Sequence, residues 1–230
     1  MTGWRRHEGL AVALPVEGID TDQLIPARFM SRPRSAGYGG YLLHDMRRDA
    51  EGHPDPAFPL ERPEAAGASI LVTRRNFGGG SSREAAVYAL IDAGFRAVVA
   101  PSFGDIFAGN AVNNGLLPAQ VSAEAAERLL AALAAGPLGA EVDIDAGAVT
   151  LGGLACPFAL SEAQREKLVN GWDDIDVTRR HEDAIAAHRA AIAAARPGLW
   201  PGATRDPGAR RGGGPPQGGA ARPAIRGRGR

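Results

Sequence analysis

Two spacings of apolar residues alternate along the chain: short continuous runs, and stretches where apolar positions recur every third or fourth residue. The first spacing predicts strands and the second helices. Strands are predicted at 10–15, at 66–73 around Ile70, Leu71 and Val72, at 96–100 before Pro101, and at 116–121. Helices are predicted at 82–93, 104–113 and 123–135, the last stopped by Gly136-Pro137. Alternation at 141–145 and 148–151 about Asp145-Ala146-Gly147 reads as a hairpin. Ser161-Glu162-Ala163-Gln164 is a capping box that opens a helix to Asn170. A last helix is predicted at 178–195, ended by Pro197. Strand–helix–strand order through the middle predicts an α/β fold with a partly parallel sheet, and the hairpin makes that sheet mixed.

Two stretches break the pattern. Residues 30–65 hold Pro33, Pro54, Pro56, Pro59 and Pro63 together with Gly37, Gly39 and Gly40. A loop this long in a compact domain is functional or disordered. It lies between two segments with candidate chemistry, so it is expected to face a substrate. The other stretch is the C-terminal one, rich in Gly, Pro and Arg. It cannot bury enough apolar surface to offset its ordering entropy. The expected organisation is a domain over 1–200 and a disordered tail over 201–230.

Charge sharpens that division. The totals balance, with 26 Lys and Arg against 26 Asp and Glu. Residues 201–230 hold seven Arg and one Asp, which leaves about −6 for the rest of the chain. The tail ends Arg226-Gly227-Arg228-Gly229-Arg230. It has no interleaved aromatics to stack bases, so a solvated extension is expected rather than a nucleic-acid arm.

Composition limits the chemistry. The 230 residues are 44% hydrophobic, enough for a sizeable core. No apolar run approaches the roughly 20 residues of a membrane span. Residues 1–10 have charges but no apolar core of a secretory signal. Cys156 is the only cysteine. An internal disulfide and a Cys-rich zinc or iron–sulfur site within this chain are therefore excluded, and a reducing cytoplasm is the expected compartment. His7, His44, His53, His181 and His188 show no close metal-ligand spacing, and His181 and His188 are expected on one exposed helix.

Three segments could carry chemistry. The strongest is Asn76-Phe77-Gly78-Gly79-Gly80-Ser81-Ser82-Arg83-Glu84, between a strand and a helix. Glycines let the backbone approach a ligand. A helix start offers N–H donors and a partial positive charge to an anion. Arg83 adds a planar fork matched to a carboxylate. The phosphate-loop and dinucleotide patterns are both absent. Read locally, Ser81-x-x-Glu84 is also a capping box with Ser81 as N-cap. The second segment, Asp20-Thr21-Asp22-Gln23 followed by Pro26-Ala27-Arg28-Phe29, reads alone as a turn before a short helix. Its acids and Arg28 could cap, pair or bind. The third, Pro101-Ser102-Phe103-Gly104-Asp105 with Asn110, Asn113 and Asn114, reads as caps and turns.

Together these segments resemble the small subunits of bacterial 3-isopropylmalate dehydratases, the swivelling β/β/α domain of the aconitase superfamily. The matching stretches include Asp20-Thr21-Asp22-Gln23, Pro26-Ala27-Arg28-Phe29, Asn76-Phe77-Gly78, Gly80-Ser81-Ser82-Arg83-Glu84, Ala100-Pro101-Ser102-Phe103, Asn114-Gly115-Leu116-Leu117-Pro118 and Asn170-Gly171-Trp172-Asp173-Asp174-Ile175. The likeness spans about residues 5–200.

The resemblance implies a hydro-lyase of leucine biosynthesis that exchanges 2-isopropylmalate and 3-isopropylmalate through an alkene. It implies a heteromer, a heterodimer or heterotetramer, whose large subunit carries three cysteines and a [4Fe–4S] cluster. It implies that Ser81 is the base that takes a proton from the carbon beside a carboxylate. Arg83 and Arg28 would hold the carboxylates of a small hydroxy-diacid, and Asp22, Ser82 and Gly80 would belong to the same site.

The sequence departs from the family's usual pattern at Gly79 for Cys, Ala85 for His, Val87 for Pro and Tyr88 for Trp. The loop usually written Arg-Thr-Gly-Phe-Gly is Ser35-Ala36-Gly37-Tyr38-Gly39. Two alternatives stay open: a related dehydratase acting on another substituted malate, and a non-catalytic paralogue that binds a partner, or RNA through its tail.

Overall fold

A computed structural model describes residues 2–196. The chain divides into two compact units, Met1–Arg180 and His181–Arg230. Pro197 and the predicted tail over 201–230 lie outside the described residues.

The first unit is built on one seven-stranded sheet. Its strands are β1 (Arg6–Leu14), β2 (Ala68–Thr73), β3 (Ala97–Ala100), β4 (Leu117–Gln120), β5 (Leu138–Asp143), β6 (Ala148–Leu151) and β7 (Leu154–Pro157). The spatial order is β4-β3-β2-β1-β5-β6-β7. On one side of β1 the pairs β1–β2, β2–β3 and β3–β4 are all parallel. On the other side β1–β5, β5–β6 and β6–β7 are antiparallel. The mixed sheet expected from the sequence is therefore present.

Parallel neighbours need crossover segments. Helices α2 (Glu84–Asp92) and α3 (Asp105–Asn113) supply two of them. The β1–β2 crossover contains α1 (Thr21–Leu24) and five short 3-10 turns between Ala27 and Ala65. The two faces of the sheet follow the period of two. Val12, Leu14, Leu71, Val98 and Ala100 join a core with α2 and α3. Ala11, Ile70, Val72, Ala97 and Val99 join the other with α4 (Ala123–Ala132) and Leu168 of α5 (Glu162–Asn170). Strands buried on both faces read as solid apolar runs, which is why β2 and β3 were visible in the sequence.

Four details differ from expectation. β5 begins at Leu138, directly after the Gly136-Pro137 stop, because its residues pair along β1 from Ala11 to Arg6. β7 was not anticipated; it is four residues long, flanked by Gly152-Gly153, and pairs only with β6. The helix expected at 178–195 is two helices, α6 (Asp174–Arg179) and, in the second unit, α7 (Glu182–Ala195). The Asp173 side chain caps α6 early, and His181 leaves helical geometry at φ −106°, ψ 18°, at the N-cap of α7. No residue of α7 is buried. Finally, α2 starts at Glu84 rather than at residue 82.

Candidate active site

The C-terminal ends of β1, β2 and β3 lie level, since Leu14 pairs with Thr73 and Val72 with Val99. In open α/β sheets the crevice beyond these ends is where ligands bind. Three loops leave there. The loop after β2 is bridged on one side to the loop after β1, Asp20 against Gly79, and on the other to the loop after β3, Phe77 against Phe103. Backbone bonds fix both seams: Gly78 N to Ile19 O (2.7 Å) and Thr21 N to Gly79 O (3.0 Å) on one, Phe77 N to Ser102 O (3.1 Å) and Gly104 N to Phe77 O (2.9 Å) on the other.

The middle loop takes a strained path. Asn76 has φ 60°, an uncommon value for a side-chain-bearing residue, and its amide is held by Ser102 Oγ at 2.8 Å. Gly78 has φ 73°, and a Cβ there would lie 2.2 Å from Phe107 Cγ. Glycine is the only residue that fits that close approach. Gly79 differs: its φ is ordinary, and a Cβ would meet only the end of the Asn76 side chain, at 3.2 Å. A side chain at this position requires only that the end of the Asn76 side chain give by a few tenths of an ångström.

The capping box expected of Ser81 and Glu84 does not form. Arg83 is the N-cap of α2, in an extended conformation, and no side chain caps the helix. Tertiary contacts engage the Ser81 backbone and the Glu84 side chain instead. Thr21 Oγ1 donates to the Ser81 carbonyl at 2.8 Å, and Asn114 Nδ2 donates to Glu84 Oε1 at 2.7 Å. Among the described residues neither the Ser81 nor the Ser82 hydroxyl has a hydrogen-bond partner, and both residues are exposed. They sit just before the uncapped, positive end of α2. Gly80, beside them, has φ 87°.

The segment after β1 separates its two acids. Asp20 is a cap: its Oδ1 accepts from Gln23 N at 2.7 Å, and Gln23 Oε1 accepts from Asp20 N at 2.9 Å. Asp22 is free of that task and pairs with Arg83, whose Nη1 donates to Asp22 Oδ1. The Arg83 side chain is 18% exposed and that of Asp22 53%. The remaining edge of the Arg83 fork has no protein partner among the described residues, so it can receive a carboxylate.

Arg28 is elsewhere engaged. It stands in the 3-10 turn Ala27–Phe29, lies over the Phe29 ring at 4.6 Å, and makes a two-pronged pair with Asp45, one prong Nη1 to Oδ2 at 2.8 Å. His44 Nδ1 is 3.1 Å from the same carboxylate. The guanidinium of Arg28, with a smaller contribution from His44, lowers the Asp45 pKa to about 2. The structure thus joins Asp22, Gly80, Ser81 and Arg83 through direct bonds or adjacency, and holds Arg28 through a separate partner. Asp45 was missed: it lies 17 residues from Arg28 in an aperiodic loop, and no sequence signal links the two.

The loop that departs most from the family pattern docks on α2. Arg34 forks onto Asp92, with Nη2 at 2.7 Å from Oδ1, and lies 4.0 Å over the Tyr88 ring. Gly39 comes so close to Asp92 that a Cβ would be 2.5 Å from its backbone. Burial and the neighbouring Glu84 carboxylate raise the Tyr88 pKa. Ala85 and Val87, at two other departing positions, are buried in the core beneath.

Comparison with known proteins agrees with this architecture. The Aconitase C-terminal domain family matches residues 1–124, more than half of the chain, and the chain belongs to it. Within it, the chain belongs with the 3-isopropylmalate dehydratase small subunits. It is 46% identical over 182 residues to that of Shouchella clausii, covering 79% of this chain and 92% of the relative. It is 45% identical to that of Shewanella denitrificans, covering 84% of this chain and 98% of the relative. The Shewanella amazonensis protein of the same name is 44% identical, with 85% of this chain and 100% of the relative covered. A crystal structure of 3-isopropylmalate dehydratase from Methanocaldococcus jannaschii shares the fold, with a TM-score of 0.57, 22% identity, and coverage of 80% of this chain and 99% of the other.

The iron–sulfur cluster implied by the family has no fitting donors here. The single cysteine, Cys156, is 1% exposed and lies in β7 opposite Val149. Among the described residues no three His, Cys, Asp or Glu side chains converge on a possible metal position. Among the same residues, no helix is long and apolar enough to cross a membrane.

Proposed function

We propose that this chain is the small subunit of a 3-isopropylmalate dehydratase, a hydro-lyase that interconverts 2-isopropylmalate and 3-isopropylmalate by dehydration and rehydration in leucine biosynthesis. It acts only with a large subunit, which carries the [4Fe–4S] cluster. The observation that carries this reading is the joining of two loops at the strand ends: Asp22 pairs with Arg83 while the Ser81 hydroxyl stays free beside them.

Ser81 takes the proton from the carbon next to a substrate carboxylate. A serine hydroxyl is a very weak base unless its alkoxide is stabilised. The positive end of α2 and the Arg83 guanidinium supply that stabilisation, most strongly once the partner subunit excludes water. The unused edge of Arg83 holds one substrate carboxylate, and Arg28, whose pair with Asp45 is exposed and readily exchanged, holds the other. Ser82 and the backbone at Gly80 belong to the same site. The catalytic domain is assigned to 1–200, with 201–230 as a dispensable tail.

A second reading, a dehydratase for another alkyl-substituted malate, is favoured by one observation. Ser35 stands where the family loop has Arg, and the neighbouring Arg34 does not substitute for it, being committed to Asp92 and Tyr88. Co-expression with the cognate large subunit, anaerobic cluster repair and alkene formation from a panel of 2- and 3-substituted malates separate the readings. Isopropylmalate should be the fastest substrate. A faster rate on another malate supports the second reading, and no turnover of any malate by the cluster-loaded complex overturns both.

A further inference from the structure

Thr21 and Thr73 are the two buried polar side chains of the described residues. A hydroxyl taken out of water is costly unless it finds a partner. Thr73 finds one at the foot of the site, donating to Val16 O at 2.9 Å. Thr21, 2% exposed, does something different. Its Oγ1 donates to the carbonyl of Ser81 at 2.8 Å, while its own amide donates to the carbonyl of Gly79 at 3.0 Å. One residue thus grips the loop on both sides of Gly80, which has no Cβ to restrain it and sits at φ 87°. Thr21 is itself fixed by the Asp20–Gln23 capping box and by Ile25 N, which donates to Thr21 O at 3.1 Å.

We propose that Thr21 is the positioning residue for Ser81, on the reading that Ser81 is the base. Its hydroxyl holds the Ser81 carbonyl inward, which turns the Ser81 side chain outward and leaves its hydroxyl without a protein partner. The same bond polarises the Ser81–Ser82 peptide, so the Ser82 N–H becomes a stronger donor toward an anion in front of α2. The next residue of α1, Asp22, sets Arg83. One short helix therefore sets both the proposed base and its carboxylate clamp. Misplacing a reacting group by about 1 Å can cost roughly a hundredfold in rate.

Thr21→Val keeps the shape and removes the donor; Thr21→Ser keeps the donor. In the complex with the large subunit, Thr21→Val should lower kcat by at least about tenfold with KM within about twofold, and Thr21→Ser should restore kcat to within about threefold of wild type. In the full chain alone, deuterium uptake over residues 79–83 should rise with Thr21→Val and remain at the wild-type level with Thr21→Ser. Unchanged uptake with Thr21→Val overturns the proposal whatever the turnover. So does a Thr21→Ser variant as slow as Thr21→Val. Failure of the underlying reading has a separate signature: Ser81→Ala would then turn over at the wild-type rate.

Discussion

The two arginines assigned to substrate carboxylates are held in opposite ways. Arg83 is largely covered, follows a loop bridged to both neighbouring loops, and is braced by an acid on α1. Arg28 sits in a single 3-10 turn, with a side chain 54% exposed and a partner, Asp45, that is equally exposed. An exposed ion pair fixes little. The half of the site that carries the proposed base is therefore built rigidly, and the half that carries the proposed Arg28 clamp is adjustable. The departure at Ser35 falls in the same stretch of 3-10 turns as Arg28, but its loop is tied to α2 by Arg34 and Gly39, and the departures at Gly79, Ala85, Val87 and Tyr88 fall on the rigid half itself.

Changes on the rigid side should cost most. Arg83→Ala should lower kcat/KM by about 10²–10³, because it removes both the clamp and the charge beside Ser81. Steady-state rates of the reconstituted complex measure this, and a loss below fivefold would place the clamp elsewhere. Gly78→Ala should destabilise the fold by roughly 2–4 kcal/mol in denaturant unfolding, since the new Cβ meets Phe107 at a positive φ. On the adjustable side, Asp45→Asn should raise KM by about threefold and move the melting temperature by less than about 2 °C. An unchanged KM would show that Arg28 needs no partner.

The Asp45 carboxyl also sets a pH window. Its folded pKa, about 2, lies below the ordinary carboxylate value. The pair's contribution is therefore complete above roughly pH 4 and is lost as pH falls through about 2. A titration of the Asp45 carboxyl by NMR reads it directly. The smallest effect is expected at Gly79→Cys, within about 1 kcal/mol of wild type, because only the end of the Asn76 side chain must yield. Comparing it with Gly78→Ala tests whether the loop's rigidity resides at one glycine or at both.

The parts of this molecule that were legible in the sequence are those whose environment is uniform. β2 and β3 are covered on both faces and read as unbroken apolar runs; the capping box at Ser161 is local and forms as read. What was not legible depended on partners far along the chain. Ser81 and Glu84 have the right spacing for a cap, yet Thr21 of α1 and Asn114 at the end of α3 engage them and α2 starts later. The break between α6 and α7 has no glycine or proline to mark it. β7 is only four residues long and sits between Gly152-Gly153 and its own Pro157, so it does not stand out. Asp22 and Arg83 were each named from the sequence as site residues, but their pairing across 61 positions came only from the fold. Asp45 was not foreseen at all.

The central claim is that Ser81 moves the proton, and isotope exchange tests it most directly. The large-subunit complex, loaded with its cluster and given isopropylmalate in deuterium oxide, should form alkene and incorporate deuterium at the carbon beside the carboxylate. Ser81→Ala should bind the large subunit normally and cut that incorporation by about 10²-fold or more. Incorporation by Ser81→Ala at close to the wild-type rate would contradict the account.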